Sequence, residues 1–248
     1  MTATASRPAT TTQPSTNGQP DVRRQLVTFT MYKLDPAFRR LPTDEQAAAR
    51  AEFAEAVGRK EEELIQLTYS CNGLKTDTDF VVWRIAFDSD ALQRQEAAIN
   101  KTVLAGYLAV SHRFLAMTKR SQYIDPVDPF HDENSRSKIV PGKRKYLFVY
   151  PFVKTRQWYL KSLEERQAAM TEHIRVGNDY PSVKLNTTYS FGLDDQDFVV
   201  AFETDVPADF LDLVQTLRET NSSLYTVRDT PMFTAVQKPI GEILDELF

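Results

Sequence analysis

Cysteine and histidine are scarce in this sequence, which contains one cysteine, Cys71, and three histidines, His112, His131 and His173. A single cysteine excludes an internal disulfide and any zinc or iron–sulfur site built on several cysteines. A metal site built on several histidines would need nearly all three, so we expect none. The sequence also lacks a P-loop, a dinucleotide fingerprint, a GxSxG serine elbow and an HExxH motif.

Basic residues are fewer than acidic ones. The 30 Lys and Arg and the 34 Asp and Glu give a net charge of −4 over 248 residues. A general nucleic-acid binder needs a basic excess, so we expect no nucleic-acid partner. No apolar run reaches the length of a membrane span, and the N-terminus has no apolar signal-peptide core. We therefore expect a cytoplasmic protein without membrane contact. The hydrophobic share of 42% is typical of a globular chain with a buried core.

The first twenty residues contain one charge, three prolines, six threonines and no Leu, Ile, Val or Phe. Such a segment cannot bury apolar surface. We predict that residues 1–22 form a disordered N-terminal tail.

Capping boxes predict the starts of two helices, because a Ser or Thr at a helix start bonds with a Glu or Gln three residues later. Thr43 with Gln46 is expected to begin the first helix, and Ser162 with Glu165 the second. Gly177 is expected to cap the second helix at its C-terminus. Each helix follows a β-branched, aromatic strand and precedes two further strands and another helix.

The resulting β-α-β-β-α order occurs twice, as in ferredoxin-like units, and some letters repeat with it. Gly-Leu followed by Asp-Phe-Val-Val occurs within 73–82 and again within 192–200. Matches in register argue for duplication. We therefore predict an α+β fold with a first ferredoxin-like half at 23–122, a linker at 123–144 and a second half at 145–248. The two halves are expected to form a dimeric α+β barrel within one chain, enclosing an apolar space for a bulky flat ligand.

A basic window without any acidic residue joins the two halves. Its members are Arg136, Lys138, Lys143, Arg144, Lys145, Lys154 and Arg156. A solvated basic loop is one interpretation, and a site for carboxylates or phosphates is the other. The window leads directly into the strand YLFVYPF, which places Tyr150 and Lys154 beside an interior. Being four residues apart on a strand, their side chains are expected to share a face.

His173 lies on the second predicted helix, on the side of Met170 and Gly177. One interpretation is a core histidine satisfied by a hydrogen bond. The other is the single axial ligand of a haem iron, which suits one histidine better than zinc does.

Several short motifs together resemble the chlorite dismutase-like family of haem proteins, and within it most closely the coproheme decarboxylases of the actinobacterial type. They are YPFVK at 150–154, WYL at 158–160, EER at 164–166, EH at 172–173, GLDD at 192–195 and TPMF at 230–233. The likeness extends over residues 23–240, and the fold of this family agrees with the duplication.

This resemblance implies roles for four residues. His173 matches the proximal haem ligand, and Tyr150 matches the tyrosine whose radical abstracts hydrogen from a propionate. Lys154 matches the lysine beside that propionate, and Arg136 falls at the position of a propionate-binding arginine. The implied reaction is the oxidative decarboxylation of two propionates of iron coproporphyrin III (coproheme) by hydrogen peroxide, giving haem b. The resemblance also implies a ring-shaped homopentamer.

The sequence departs from the family pattern on the distal side of the haem. Asn186 stands thirteen residues after His173, where chlorite dismutases carry an arginine and some decarboxylases a glutamine, so Asn186 is expected at the cofactor. Actinobacterial relatives use a distal histidine from the linker, for which His131 is a candidate. A solvated loop histidine is the alternative. The glutamate that partners the proximal histidine in chlorite dismutases has no counterpart near 221–223.

Three alternatives to the decarboxylase remain at this point. They are a chlorite dismutase, a haem-binding or sensing protein without efficient turnover, and a barrel that holds no haem. Oxygen release from chlorite, coproheme binding without conversion, and the absence of any porphyrin absorption band would respectively identify them.

Overall fold

The computed structural model describes residues 23–123, 138–142 and 144–248, and within them nine β-strands and six α-helices. The first half contains β1 (Leu26–Leu34), α1 (Thr43–Gly58), β2 (Leu64–Ser70), β3 (Phe80–Ala86), α2 (Ser89–Ile99) and β4 (Leu108–Met117). The second half contains β5 (Tyr146–Lys154), α3 (Arg156–Leu160), α4 (Leu163–Asn178), β6 (Lys184–Tyr189), β7 (Phe198–Thr204), α5 (Pro207–Arg218), β8 (Thr226–Arg228), β9 (Phe233–Gln237) and α6 (Ile240–Leu247). Short 3-10 helices span Pro36–Arg40, Leu104–Tyr107 and Asn221–Tyr225.

Eight of these strands close into an antiparallel barrel, in the order β7-β6-β4-β1-β3-β2-β9-β5 with a further β5–β7 pairing. The last strand of each half joins the other half: β4 pairs with β1 and β6, and β9 pairs with β5 and β2. The predicted α+β barrel of two ferredoxin-like units is confirmed.

The two halves repeat each other at the level of single hydrogen bonds. A carboxylate oxygen of Asp79, just before β3, accepts the backbone N–H of Leu34 at 2.8 Å. In the second half, a carboxylate oxygen of Asp197, just before β7, accepts the backbone N–H of Lys154, also at 2.8 Å. Leu34 and Lys154 are therefore equivalent positions at the ends of β1 and β5.

Side chains fill the barrel interior, so the expected enclosed space for a flat ligand is absent from the described part of the chain. Leu147 and Val149 of β5 pack inward with Phe29 and Trp83 of the first half. An eight-stranded barrel is only wide enough for its own side chains. The alternate residues of β5 point outward toward the helices and form a second cluster. We call it the outer cluster, and its buried members are Phe148, Tyr150, Phe202, Phe210 and Leu213.

The first predicted capping box is wrong. The carbonyl of Pro42 accepts the N–H of Gln46 at 2.9 Å, so Pro42 is the N-cap and Thr43 the first helical residue of α1. The Gln46 side chain instead donates to the carbonyl of Leu41 at 2.8 Å. Proline is suited to this boundary because its fixed φ keeps the cap extended.

The second predicted capping box is confirmed. The N–H of Glu165 donates to Ser162 Oγ at 3.2 Å, and the N–H of Ser162 donates to Glu165 Oε2 at 2.9 Å. The predicted C-cap is wrong, because α4 continues through Gly177 and its cap is Asp179.

The end of the linker closes one end of the barrel. Ile139 lies in the interior cluster, and the Gln25 side chain binds both its N–H and its carbonyl. The predicted tail, His131 and Arg136 lie outside the described residues. Among the described residues, no helix has the length and apolar character needed to cross a lipid bilayer.

Candidate functional site

Tyr150 and Lys154 both point from β5 toward α4, as predicted from their spacing. Tyr150 is 6% exposed and lies in the outer cluster with Phe202 and with Val176 of α4. The ring centroids of Tyr150 and Phe202 are 6.0 Å apart. The ammonium group of Lys154 lies over the rings of Phe152 and Trp158 and donates to the backbone of Ser222.

A chain of two hydrogen bonds connects Lys154 to His173 through Ser222. Lys154 Nζ donates to the backbone carbonyl of Ser222 at 2.6 Å. The Oγ of Ser222 lies 3.2 Å from His173 Nδ1. Ser222 is 2% exposed, and its hydroxyl also lies 3.1 Å from Thr220 Oγ1. The structure thus places two predicted site residues around one buried serine.

The 3-10 helix Asn221–Tyr225 is held against α4 by a neighbouring contact. The backbone N–H and the side-chain amide of Asn221 both donate to Glu172 Oε2, each at 2.9 Å. Glu172 precedes His173, so this contact fixes the position of Ser222 relative to the imidazole.

Burial controls the charge of both basic groups. Loss of solvent contact lowers the pKa of His173 to about 4, and the positive charge of Lys154 acts in the same direction. Burial also lowers the pKa of Lys154 to about 8. The imidazole is therefore neutral at pH 7 and available as a ligand, while Lys154 remains predominantly protonated.

The helix that carries His173 is incompletely packed. No residue of α4 is more than partly buried, whereas α1 of the first half fully buries Ala49, Phe53 and Val57. We call the region between α4 and the outward face of β5, β6 and β7 the α4 slot. It is this slot, and not the barrel interior, that the candidate residues face.

The phenol of Tyr150 is held in its neutral form. Burial raises its pKa, the charge of Asp229 raises it further, and the charge of Arg218 opposes both effects. Asp229 and Arg218 form an ion pair of 2.9 Å. The environment therefore keeps the proton on the phenol oxygen unless an electron is also removed.

Asn186 lies on the other face of the sheet from Tyr150. It pairs with Ala201, which belongs to the barrel interior, and its amide donates to Glu203 at 2.9 Å. Neighbouring positions on a strand point to opposite faces, so Leu185, opposite Phe202, shares the face of the α4 slot. The structure does not bring Asn186 together with His173. The spacing of thirteen residues after His173 leads to a position on β6, but it does not determine on which face of the sheet the side chain lies.

Ser222 was missed as a site residue. The segment 221–223 contains no glutamate, and the buried hydroxyl of Ser222 contacts Nδ1 of His173 instead. Serine is common in loops, so the sequence contains no signal that distinguishes Ser222 from Ser223.

The family assignment follows from a match over most of the described chain. Residues 46–238 match the family model described as chlorite dismutase. The chain belongs to the chlorite dismutase family. This finding confirms the family resemblance that the motifs around Tyr150 and His173 indicated.

Relatives within the chlorite dismutase family include two curated proteins named coproheme decarboxylase. The one from Mycolicibacterium smegmatis is 29% identical over 180 residues, covering 72% of this chain and 75% of the relative. The one from Staphylococcus carnosus is 27% identical over 203 residues, covering 75% and 81%. Both matches extend over most of each chain.

Solved structures of the family share this architecture. A variant of chlorite dismutase from Candidatus Nitrospira defluvii superposes with a TM-score of 0.81 at 26% identity, covering 90% of this chain and 94% of that one. A haem-binding protein from Thermus thermophilus has a TM-score of 0.79 at 22% identity, which shows the shared fold.

Proposed function

We propose that this protein is a coproheme decarboxylase, which converts iron coproporphyrin III to haem b with hydrogen peroxide as oxidant. The observation that carries this proposal is the joint position of Tyr150, Lys154 and His173 beside the α4 slot. The two curated relatives named coproheme decarboxylase support it. A homopentamer, which the family resemblance implies, belongs to the same proposal and can be checked by light scattering after size-exclusion chromatography.

The residues fit a haem group. An axial imidazole must be neutral, and burial lowers the pKa of His173 to about 4. When the imidazole donates its Nδ1–H to Ser222 Oγ, the lone pair lies on Nε2, which would ligate the iron. The side chains of α4 are at most partly buried, so this helix is less closely packed than α1. Lys154 supplies a cation for one propionate.

The overall chemistry balances with one peroxide for each propionate. The propionate loses carbon dioxide, one proton and two electrons and becomes a vinyl group. Hydrogen peroxide takes up those two electrons and forms two water molecules, consuming one further proton from solvent. When bound, the haem iron supplies the redox chemistry that reduces the peroxide.

Tyr150 and Lys154 have separate tasks in this reaction. The phenol of Tyr150 gives up a proton and an electron together, and the resulting radical takes a hydrogen atom from the propionate side chain. The buried position of Tyr150 excludes water from the radical. Lys154 pairs with the propionate carboxylate and fixes it near the phenol.

The partner of His173 favours the decarboxylase over chlorite dismutase activity. Ser222 presents a hydroxyl, whereas a carboxylate would draw the Nδ1 proton and give the ligand imidazolate character. A hydroxyl leaves the imidazole a weaker electron donor to the iron.

The test is to add hydrogen peroxide stepwise to the purified protein with iron coproporphyrin III and to follow the porphyrin by mass spectrometry. Loss of two carboxyl groups is the expected result. Binding without conversion would show a haem-binding or sensing protein, and oxygen release from chlorite would show a dismutase. Either result would overturn the proposal.

A further inference from the structure

We propose that Arg166 on α4 binds a carboxylate of the porphyrin. This inference rests on the proposed function, because it requires a porphyrin with acidic side chains in the α4 slot. Arg166 belongs to the EER motif at 164–166 but is not among the residues for which the resemblance implies a role. It lies twelve residues beyond Lys154, in a different element.

Arg166 shares one face of α4 with the candidate iron ligand. Arg166, Met170, His173 and Gly177 follow one another at intervals of four, three and four residues, which is the spacing of a single helical stripe. Seven residues separate Arg166 from His173, so their backbones lie about 10 Å apart along the helix axis. A porphyrin whose iron is bound at His173 extends its propionates over a comparable distance from the metal.

The guanidinium group of Arg166 has a buried N–H donor for which the described residues supply no acceptor. The Nε of Arg166 is buried and has no hydrogen-bond partner in that part of the chain. A buried N–H without an acceptor is unfavourable, and most such groups in proteins have one. A ligand oxygen in the slot would provide it.

Two glutamates of the same helix, Glu165 and Glu172, are already engaged. The carboxylate of Glu165 accepts from the backbone of Ser162 and from Lys161. The carboxylate of Glu172 accepts from Asn221. Arg166 is therefore not neutralised by these two glutamates, and a planar guanidinium is well suited to a carboxylate.

Lys154 and Arg166 differ in their hydrogen-bond partners and in their positions. Lys154 Nζ is bound to the carbonyl of Ser222, next to the ligand imidazole. Arg166 lies two turns closer to the N-terminal end of α4 than His173 does. Iron coproporphyrin III carries four propionates, so the two cations can hold different carboxylates of the same molecule.

The test compares Arg166→Met with Arg175→Met, because Arg175 lies on the same helix but on its opposite, exposed side. Dissociation constants are measured by absorption titration for iron coproporphyrin III and for iron octaethylporphyrin, which has no carboxylates. We expect Arg166→Met to weaken coproporphyrin binding roughly tenfold or more, the usual value of a charged hydrogen bond. Binding of the octaethyl compound, and both affinities of Arg175→Met, should stay unchanged.

Equal weakening of both porphyrins by Arg166→Met would show a structural role and overturn the inference, as would unchanged binding of both. A wild-type protein that binds coproporphyrin without converting it would contradict the proposed function but leave the Arg166 comparison decisive. A wild-type protein that binds neither porphyrin would overturn both proposals.

Discussion

The hydroxyl of Ser222 lies 3.2 Å from Nδ1 of His173, although 49 residues separate them in the chain. Groups that bind the second nitrogen of a ligand histidine set its orientation and its basicity. Ser222 is therefore a positioning residue for the proposed iron ligand. Its own position depends on the contact of Asn221 with Glu172 on α4.

Replacing Ser222 with Ala should weaken the bond between iron and histidine. We expect a lower iron–histidine stretching frequency in the resonance Raman spectrum and roughly tenfold weaker haem affinity, as for other residues behind a metal ligand. Ser223→Ala is the matched control, because its hydroxyl donates to the carbonyl of Arg218 at 2.7 Å and not to the imidazole. His173→Ala should remove the iron–histidine band altogether. If Ser222→Ala and Ser223→Ala had the same spectrum, Ser222 would have no role at the iron.

Local signals in the sequence predicted the helix start at Ser162 because both bonds of its capping box form within four residues. The barrel could be inferred because the repeated segments carry the same hydrogen bonds in both halves, as Asp79 and Asp197 show. By contrast, β4 was not predicted. Most of its residues are only partly buried or exposed, and β1 and β6 on either side define it.

His173 and Tyr150 were selected as candidates by the family motifs that contain them. Residue type alone would favour a core histidine and a core tyrosine at these positions. The face of Asn186 could not be predicted, because a shift of one position reverses the face of every residue on a strand. The C-terminal helix α6 was overlooked, although the spacing of Ile243, Leu244 and Leu247 is helical.

Replacing Asn186 with Ala should reduce stability and leave porphyrin binding unchanged. Its amide donates to Glu203, which is fully buried, and loss of this bond should cost about 1–3 kcal/mol of unfolding free energy. Chemical denaturation and an iron coproporphyrin III titration of the same variant provide the two measurements. Weaker porphyrin binding at unchanged stability would return Asn186 to the cofactor site.

The loss of unfolding free energy caused by Asn186→Ala should depend on pH. Burial raises the pKa of Glu203, while the hydrogen bonds from Gly142 and Asn186 lower it. When a carboxyl group has a higher pKa in the folded than in the unfolded state, the folded protein loses stability as pH rises from the unfolded pKa to the folded pKa. Removing the Asn186 amide raises the folded pKa further. The variant should therefore be more destabilised at pH 7 than at pH 4.

Replacing Lys154 with Ala should weaken coproheme binding and stall the reaction after one decarboxylation. The ammonium group would pair with a propionate, and its loss should cost a few kcal/mol at most, because burial already disfavours its charge. A three-propionate intermediate should accumulate and be visible by mass spectrometry. Lys145→Ala, at the exposed start of β5, is the control and should convert both propionates. Complete conversion by Lys154→Ala at the wild-type rate would exclude this role.

Replacing Tyr150 with Phe removes one oxygen atom and should abolish product formation while leaving coproheme binding nearly intact. The ring packs in the outer cluster with Phe202, and phenylalanine preserves that contact. The phenol alone can lose a proton and an electron together, and burial raises its pKa, which favours retention of the proton before oxidation. Peroxide titration of the variant followed by mass spectrometry should show unconverted iron coproporphyrin III. Tyr146→Phe is the control, because Tyr146 lies four residues earlier on the same face of β5 and this variant keeps Tyr150. It should convert iron coproporphyrin III normally. If Tyr150 served only in packing, the folded fraction of Tyr150→Phe would turn over at the wild-type rate per bound porphyrin, and the radical role would be refuted.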